Sequence, residues 1–279
     1  MKYLSIKIIS VWGIPIRLHA SLLLMTFLLC SKFGLRWGLI IQFALGLSII
    51  LHELGHCYVA IRKQCRVHDI TLLVIGGAAQ MERIPKKPTD ELLMAIAGPA
   101  VSLVLALFFW FLTNVFPMEP LHTPVGQITI LEICAWLNAV LFFFNLLPAF
   151  PMDGGRVLRA ALSNPLGRLR ATAISARLGK LFGTLMILGG MLNSPVMVNG
   201  DTMGFDPRSL MWVAIGFFVF LAAENEHLTV RVQEGDIDIN DAHGGFLTQH
   251  HKTVIKNVAS PGGHQQTDAA DTQNTQESP

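Results

Sequence analysis

Charge is scarce in this sequence. Aspartate, glutamate, lysine and arginine make up 14% of its 279 residues, against 52% that are hydrophobic, whereas a soluble domain carries about 25% charged residues. With a mean hydropathy of +0.49, the deficit excludes an ordinary water-soluble globule and points to a chain whose solvent is lipid. The net charge of +2 is too small for an electrostatic grip on nucleic acid, so no nucleic-acid partner is expected. Cysteine is sparse as well. Cys30, Cys57, Cys65 and Cys134 form no C-x-x-C pair, and three of them lie in apolar stretches, which argues against a disulfide framework. A small-x-small cleavage site is also missing after the apolar run 18–30, so the first span is expected to stay attached. No internal repeat is present.

What the sequence does have is long apolar runs. Six helical segments are expected, over 18–31, 35–62, 89–116, 128–147, 155–191 with an interruption at Asn164-Pro165, and 207–223. The first reaches only about 21 Å at 1.5 Å per residue, short of a hydrocarbon core of about 30 Å. The others are read as spans, giving an all-α membrane protein of about six transmembrane helices. Two stretches look like strands. Residues 1–16 alternate Leu4, Ile6 and Ile8 with polar neighbours, and "RVHDITLLVIGGAAQMER" (66–83) reads as a hairpin turning at Gly76-Gly77. A sheet edge cannot face lipid, so this small sheet belongs at the interface or within protein.

The polytopic domain is expected over 1–226. From 227 to 279 the chain is polar and reads as a largely disordered tail, ending "HQQTDAADTQNTQESP", with "LTVRVQ" (228–233) as one short strand. Its histidines His243, His250, His251 and His264 have no regular ligand spacing and read as solvated. Basic residues mark one side of the membrane: Arg62, Lys63, Arg66, Arg83, Lys86 and Lys87 after the second helix, then Arg156, Arg159, Arg168 and Arg170 after the fourth. The loops 118–127 and 193–206 contain none. Both termini are therefore expected in the cytoplasm of a multi-pass cell-membrane protein, with Lys32 and Arg36 the one conflict.

Within the second helix stands "HELGH" (52–56). His52 and His56 are separated by about 400° of rotation and 6 Å of rise, so they share one face at a spacing that lets both imidazoles reach one metal. Glu53 stands where it can touch a metal-bound water without being a ligand. A plain polar cluster gluing helices together is the alternative. It is costly, because an ionised side chain at mid-bilayer costs about 2.5–3.5 kcal/mol and such residues usually mark function. Counted back from Arg62, His56 lies about 9 Å and His52 about 15 Å along the helix. A zinc hydrolase needs a third protein ligand and an open position. Asp153, after Pro148 and Pro151 and before Gly154-Gly155, is the candidate; taken alone it reads first as a helix N-cap, and the histidines reverse that balance.

"HELGH" together with "NLLPAFPMDGG" (145–155) resembles the paired signatures of the site-2 protease family of intramembrane zinc metalloproteases, in the subgroup of the stage IV sporulation protease. "GIPIRLHAS" (13–21), "IGGAAQM" (75–81), "AIAGPAVSL" (95–103) and "GFFVFLAAENE" (216–226) extend the likeness over most of the chain up to Glu226. The resemblance implies one zinc ion held by His52, His56 and Asp153, Glu53 as general base, and Asn145 as a substrate-positioning group. It matches His19 to a histidine common in the subgroup, read here as a structural hydrogen bonder rather than a ligand. In this reading the strand edge at Gly76-Gly77 binds the backbone of an unwound substrate, with a purely structural hairpin as the alternative.

Gly98, Ala100, Ser102 and Gly179-x-x-x-Gly183 are expected to let helices pack closely. Ser102 departs from the Asn often found there in the subgroup. Members of the subgroup often carry paired CBS domains after the last span; a polar tail is read at that place here, so nucleotide regulation through such a module is not expected. The expected activity is cleavage of transmembrane or membrane-associated proteins in the bilayer, with a regulatory membrane protein as a further expected partner. A catalytically silent zinc-binding scaffold and a metal transporter stand as alternatives. The intact Glu53 argues against the first, and the absence of a histidine-rich loop and of ligands in several spans against the second.

Overall fold

The computed structural model describes residues 4–73, 76–81, 87–116, 119, 121–123, 126–192, 195–198, 202–205 and 207–235. Two strands open the chain, β1 (Ser5–Val11) and β2 (Ile14–His19). Helices α1 (Ser21–Phe33) and α2 (Leu35–Arg62) follow, separated by Gly34 at φ 80°. That left-handed value suits glycine, and the two helices then pack together. Strands β3 (Val67–Leu73) and β4 (Gly76–Met81) complete a four-stranded sheet in the order β1-β2-β3-β4. β2 and β3 run parallel, with Ile16 opposite Ile70, while the outer pairs are antiparallel. Ile14, Ile16 and Ile70 close on Cys57, so the sheet is seated on α2 just beyond His56.

Helix α3 (Pro88–Val115) begins with proline in its first turn, where a missing N–H costs nothing. Lys63 at the end of α2 pairs with Asp90 in that turn at 2.6 Å. Helix α4 (Ile130–Asn145) opens on a capping box in which Thr129 and Glu132 satisfy each other's backbone N–H. Helices α5 (Asp153–Leu166), α6 (Arg168–Leu192) and α7 (Pro207–Gln233) complete the bundle. Two short hairpins, Leu121–Thr123 with Gly126–Ile128 and Pro195–Val198 with Thr202–Phe205, connect α3 to α4 and α6 to α7.

Several expectations need correction. Among the described residues, four helices are long and apolar enough to cross a membrane: Leu35–Arg62, Pro88–Val115, Arg168–Leu192 and Ser209–Gln233. The 13-residue α1 and 16-residue α4 are apolar but short, about 20 and 24 Å at 1.5 Å per residue. The fifth segment is two helices, broken at Gly167 (φ 79°) rather than at Asn164-Pro165, and Pro165 stays inside the last turn of α5. "LTVRVQ" is helical and continues α7, not a strand. Gly76 and Gly77 begin β4, opposite Leu73 and Leu72, instead of forming the turn. The turn at 74–75 and the tail from 236 on, with its four histidines, lie outside the described residues.

The outer faces of the long helices carry exposed apolar side chains, among them Leu39, Phe43 and Leu47 on α2 and Val104, Leu107, Trp110 and Phe111 on α3. Surfaces of this kind are stable against lipid tails, not water. Inside, small residues let backbones approach. A Cβ on Gly183 would stand 2.6 Å from the Gly216 carbonyl oxygen, and one on Gly38 would stand 2.5 Å from the Cys30 Cα.

Candidate metal centre

One turn of α2 carries both histidines. Their Nε2 atoms stand 3.2 Å apart, and Asp153 Oδ2 lies 3.1 Å from each. All three residues are buried, at 3%, 4% and 8% exposure. Zinc bonded to N and O at about 2.0–2.1 Å in a tetrahedron separates its ligand atoms by about 3.3 Å. The triangle observed is close to the base of that tetrahedron.

Protonation supports the same fit. His56 Nδ1 lies 2.7 Å from the Met94 carbonyl oxygen, and a carbonyl only accepts. Nδ1 therefore carries the proton, and the Nε2 lone pair points at Asp153. His52 Nδ1 meets Ser102 Oγ at 2.9 Å; a hydroxyl both donates and accepts, so this contact fixes the ring's orientation, with Nε2 turned toward Asp153, and not its tautomer. Three electron-pair donors converge on one small space, and a cation is the group that such a donor set accepts. Among the described residues this is the one cluster of three or more His, Cys, Asp or Glu side chains so arranged.

Helix α3 forms the floor of the centre without giving a ligand. A Cβ on Gly98 would fall 2.1 Å from His56 Nε2 and 2.7 Å from His52 Nε2. Only glycine leaves that space open. Gly98, Met94 and Ser102 lie at four-residue intervals on the buried face of α3 and address both imidazoles. Neither Met94 nor the site role of Gly98 and Ser102 was legible as anything but packing, although small and polar residues repeating every four positions in an apolar span are a usable signal.

Asp153 is delivered by a folded-back connection. The chain leaves α4 at Asn145, passes Pro148 and a cis Phe150–Pro151 peptide, and opens α5 at Asp153. The N-cap is Met152, so Asp153 is not a cap, and its charge sits in the first turn where the helix dipole favours it. Gly154-Gly155 is buried rather than flexible: added Cβ atoms would strike the Leu147 carbonyl oxygen at 2.2 Å and the Phe150 nitrogen at 2.6 Å. A Cβ added to Gly179 of α6 would likewise strike the Phe150 carbonyl oxygen, and the Phe150 N–H donates to the Ser175 carbonyl oxygen at 3.3 Å. Gly179 thus seats the connection before Asp153.

The remaining predicted residues are not part of this cluster. Glu53 is half-buried on α2, next to His52, and Arg156 stands one turn after Asp153 on α5. Asn145 is half-buried; its amide nitrogen donates to the Leu141 carbonyl oxygen at 2.9 Å, which leaves a second N–H and Oδ1. Gly76 and Gly77 stand in β4, the outer strand of the sheet, which contacts α2. His19 is local: the Ser21 backbone N–H donates to its Nδ1 at 3.1 Å, at the start of α1. Deeper in the bundle, Asn138 of α4 donates to Ser48 Oγ at 2.9 Å, one turn before His52.

A family model described as Peptidase family M50 matches residues 40–126 and 116–188. A zinc metalloprotease of Methanocaldococcus jannaschii is 34% identical over 233 residues, covering 82% of this chain and 62% of that protein. Stage IV sporulation protein FB of Bacillus subtilis is 28% identical, over 63% of this chain and 54% of its own length. The chain thus spans only about three fifths of the curated relatives it matches. The solved site-2 protease from Methanocaldococcus jannaschii superposes with a TM-score of 0.61 at 34% identity, covering 80% of this chain and 95% of that one.

Proposed function

The chain belongs to peptidase family M50, the site-2 protease family, and from that premise we propose that it is an intramembrane zinc endopeptidase acting on transmembrane or membrane-associated proteins. The observation that carries the reading is the convergence of His52, His56 and Asp153 to 3.1–3.2 Å, with a second carboxylate, Glu53, on the same turn of α2 as the histidines. His52, His56 and Asp153 hold one ion. Bound zinc would supply Lewis acidity, polarising the scissile carbonyl and acidifying the attacking water. Glu53 takes the proton from that water and returns it to the leaving amine. The free N–H of Asn145 serves the scissile carbonyl or the charge developing on its oxygen.

A helical substrate must unwind before it can be cut, and its freed backbone groups then need partners. The outer edge of β4, at Gly76-Gly77, supplies them as an added strand, and the glycines let another backbone approach closely. Catalysis belongs to the helical portion through α7, and the polar segment beyond it lies outside the machinery. The basic segment after α2 faces the cytoplasm in this reading, which puts both termini on that side and the centre toward that face of the bilayer. A regulatory membrane protein acting at the same edge fits this arrangement.

Glu53→Gln separates a protease from a zinc-binding scaffold. Membrane proteomes of cells carrying wild type and Glu53→Gln are compared, and purified proteins are assayed for zinc. The expected result is equal zinc in both and a single-span protein that is fragmented only with wild type. Zinc without any Glu53-dependent fragment, with the candidate substrates expressed, would leave the scaffold reading; wild type without zinc would end both.

A further inference from the structure

Beside the metal centre lies a second buried polar assembly, which the proposed chemistry does not use. Arg159 of α5 is fully buried, at 0% exposure, and Glu91 of α3 nearly so, at 1%. Arg159 Nε donates to Glu91 Oε1 at 2.6 Å, with Nη2 as close to the same oxygen, and Nη1 donates to Glu226 of α7 at 2.9 Å. Arg168, at the start of α6, reaches the other Glu91 oxygen at 3.3 Å. The Arg159 guanidinium also lies 4.9 Å over the ring of Phe150, three residues before Asp153.

Such an assembly is weak evidence for stability. Removing charges from water costs several kcal/mol per ion, and well-packed apolar residues of similar volume often do as well. What it provides is placement. Glu91 stands one turn before Met94 on the buried face of α3 that also carries Gly98 and Ser102. The helix that orients both histidines is therefore the helix to which Arg159 ties α5. A planar guanidinium with donors in a fixed fork can hold Glu91, Glu226 and the Phe150 ring together; an ammonium cannot.

We propose that Arg159 is a positioning residue for Asp153: by locking α5 and the Phe150 connection to α3 and α7, it sets the distance of the third ligand from the two histidines. The inference rests on the metal reading above, and its test separates the two. The variants are Arg159→Met/Glu91→Gln, which removes the buried cation and its buried partner charge together, and Arg159→Lys, which keeps the charge but loses the fork. Zinc affinity is measured by chelator competition in detergent, and ligand geometry by the visible absorption of the Co²⁺-substituted protein; helicity and Tm are followed in parallel.

The expected result is helicity kept, zinc bound at least 10-fold more weakly in both variants, and an altered cobalt spectrum, in line with what loss of support around a ligand usually costs. If the double variant loses its helicity, Arg159→Lys carries the same reading. Wild-type zinc affinity and cobalt spectrum in a folded variant overturn the positioning role while leaving the metal centre intact. Wild type that binds neither ion overturns the metal reading and this inference with it.

Discussion

Gly98→Ala adds one methyl group to a transmembrane helix, and helix propensity alone favours the change by about 1 kcal/mol. The structure predicts a large loss. The new Cβ would stand 2.1 Å from His56 Nε2, 2.6 Å from His56 Cε1 and 2.7 Å from His52 Nε2. Ordinary contact needs about 3.5 Å, so some part of the centre must retreat by more than 1 Å. His56 cannot simply swing aside, because its Nδ1–H is held by Met94 on the same helix as the methyl. The remaining course is separation of α3 from α2, which moves both imidazoles relative to Asp153. Misplacement on this scale costs about 100-fold in rate, and we expect at least as much in zinc affinity, equivalent to about 2.7 kcal/mol. Chelator competition on purified protein measures it, with circular dichroism for helix content. Gly46→Ala is the control, a mid-helix glycine of α2 with nothing within 4 Å of its added Cβ. The reasoning is refuted if Gly98→Ala binds zinc as wild type does, or if Gly46→Ala loses zinc equally.

Other changes should separate the parts of the molecule. Ser102→Ala removes the partner of His52 Nδ1 and should weaken zinc binding about 10–100-fold at unchanged helix content; equilibrium dialysis checks it. Asp153→Ala should leave no stoichiometric zinc by metal analysis, and chelator treatment of wild type should abolish cleavage until zinc is restored. Asn138→Ala breaks the bond to Ser48 and should cost about 0.5–2 kcal/mol in unfolding experiments while zinc stays bound. Glu224→Gln breaks a half-exposed ion pair with Lys180 and should shift stability by less than about 1 kcal/mol.

The residues that could be read in advance are those whose partners lie on their own helix or whose chemistry is improbable in lipid. His52, Glu53 and His56 declare themselves by four-residue spacing in an apolar span. Asp153 does so only beside them, because a carboxylate after two prolines is an ordinary helix start. Gly98, Met94 and Ser102 escaped because their partners lie on another helix about 40–50 positions earlier, and periodicity along one helix says nothing about which neighbour it meets. The strand assigned to "LTVRVQ" failed for a related reason. Its alternation of Leu, Val and Val is also compatible with a helix, and Glu226 of α7 and Glu234 just beyond it make ion pairs to Arg159 and Arg168 that local pattern cannot reveal. The break at Gly167 was misplaced by a few residues because proline is the louder signal, yet Pro165 fits a final helical turn while Gly167 supplies the left-handed backbone. Two hairpins in the loops without basic residues were missed, being three or four residues per strand.

Two of the proposed ligands, His52 on α2 and Asp153 at the head of α5, are 101 residues apart. A ribosome adding about 5–20 residues per second needs about 5–20 s to travel between them. Throughout that interval the nascent chain owns two imidazoles and a glutamate but lacks the carboxylate that completes the set, and the ground for α5, which also leans on α6 and α7, is not yet laid. The proposed centre stays incomplete while the earlier helices are made, and metal affinity arises only once the head of α5 has docked.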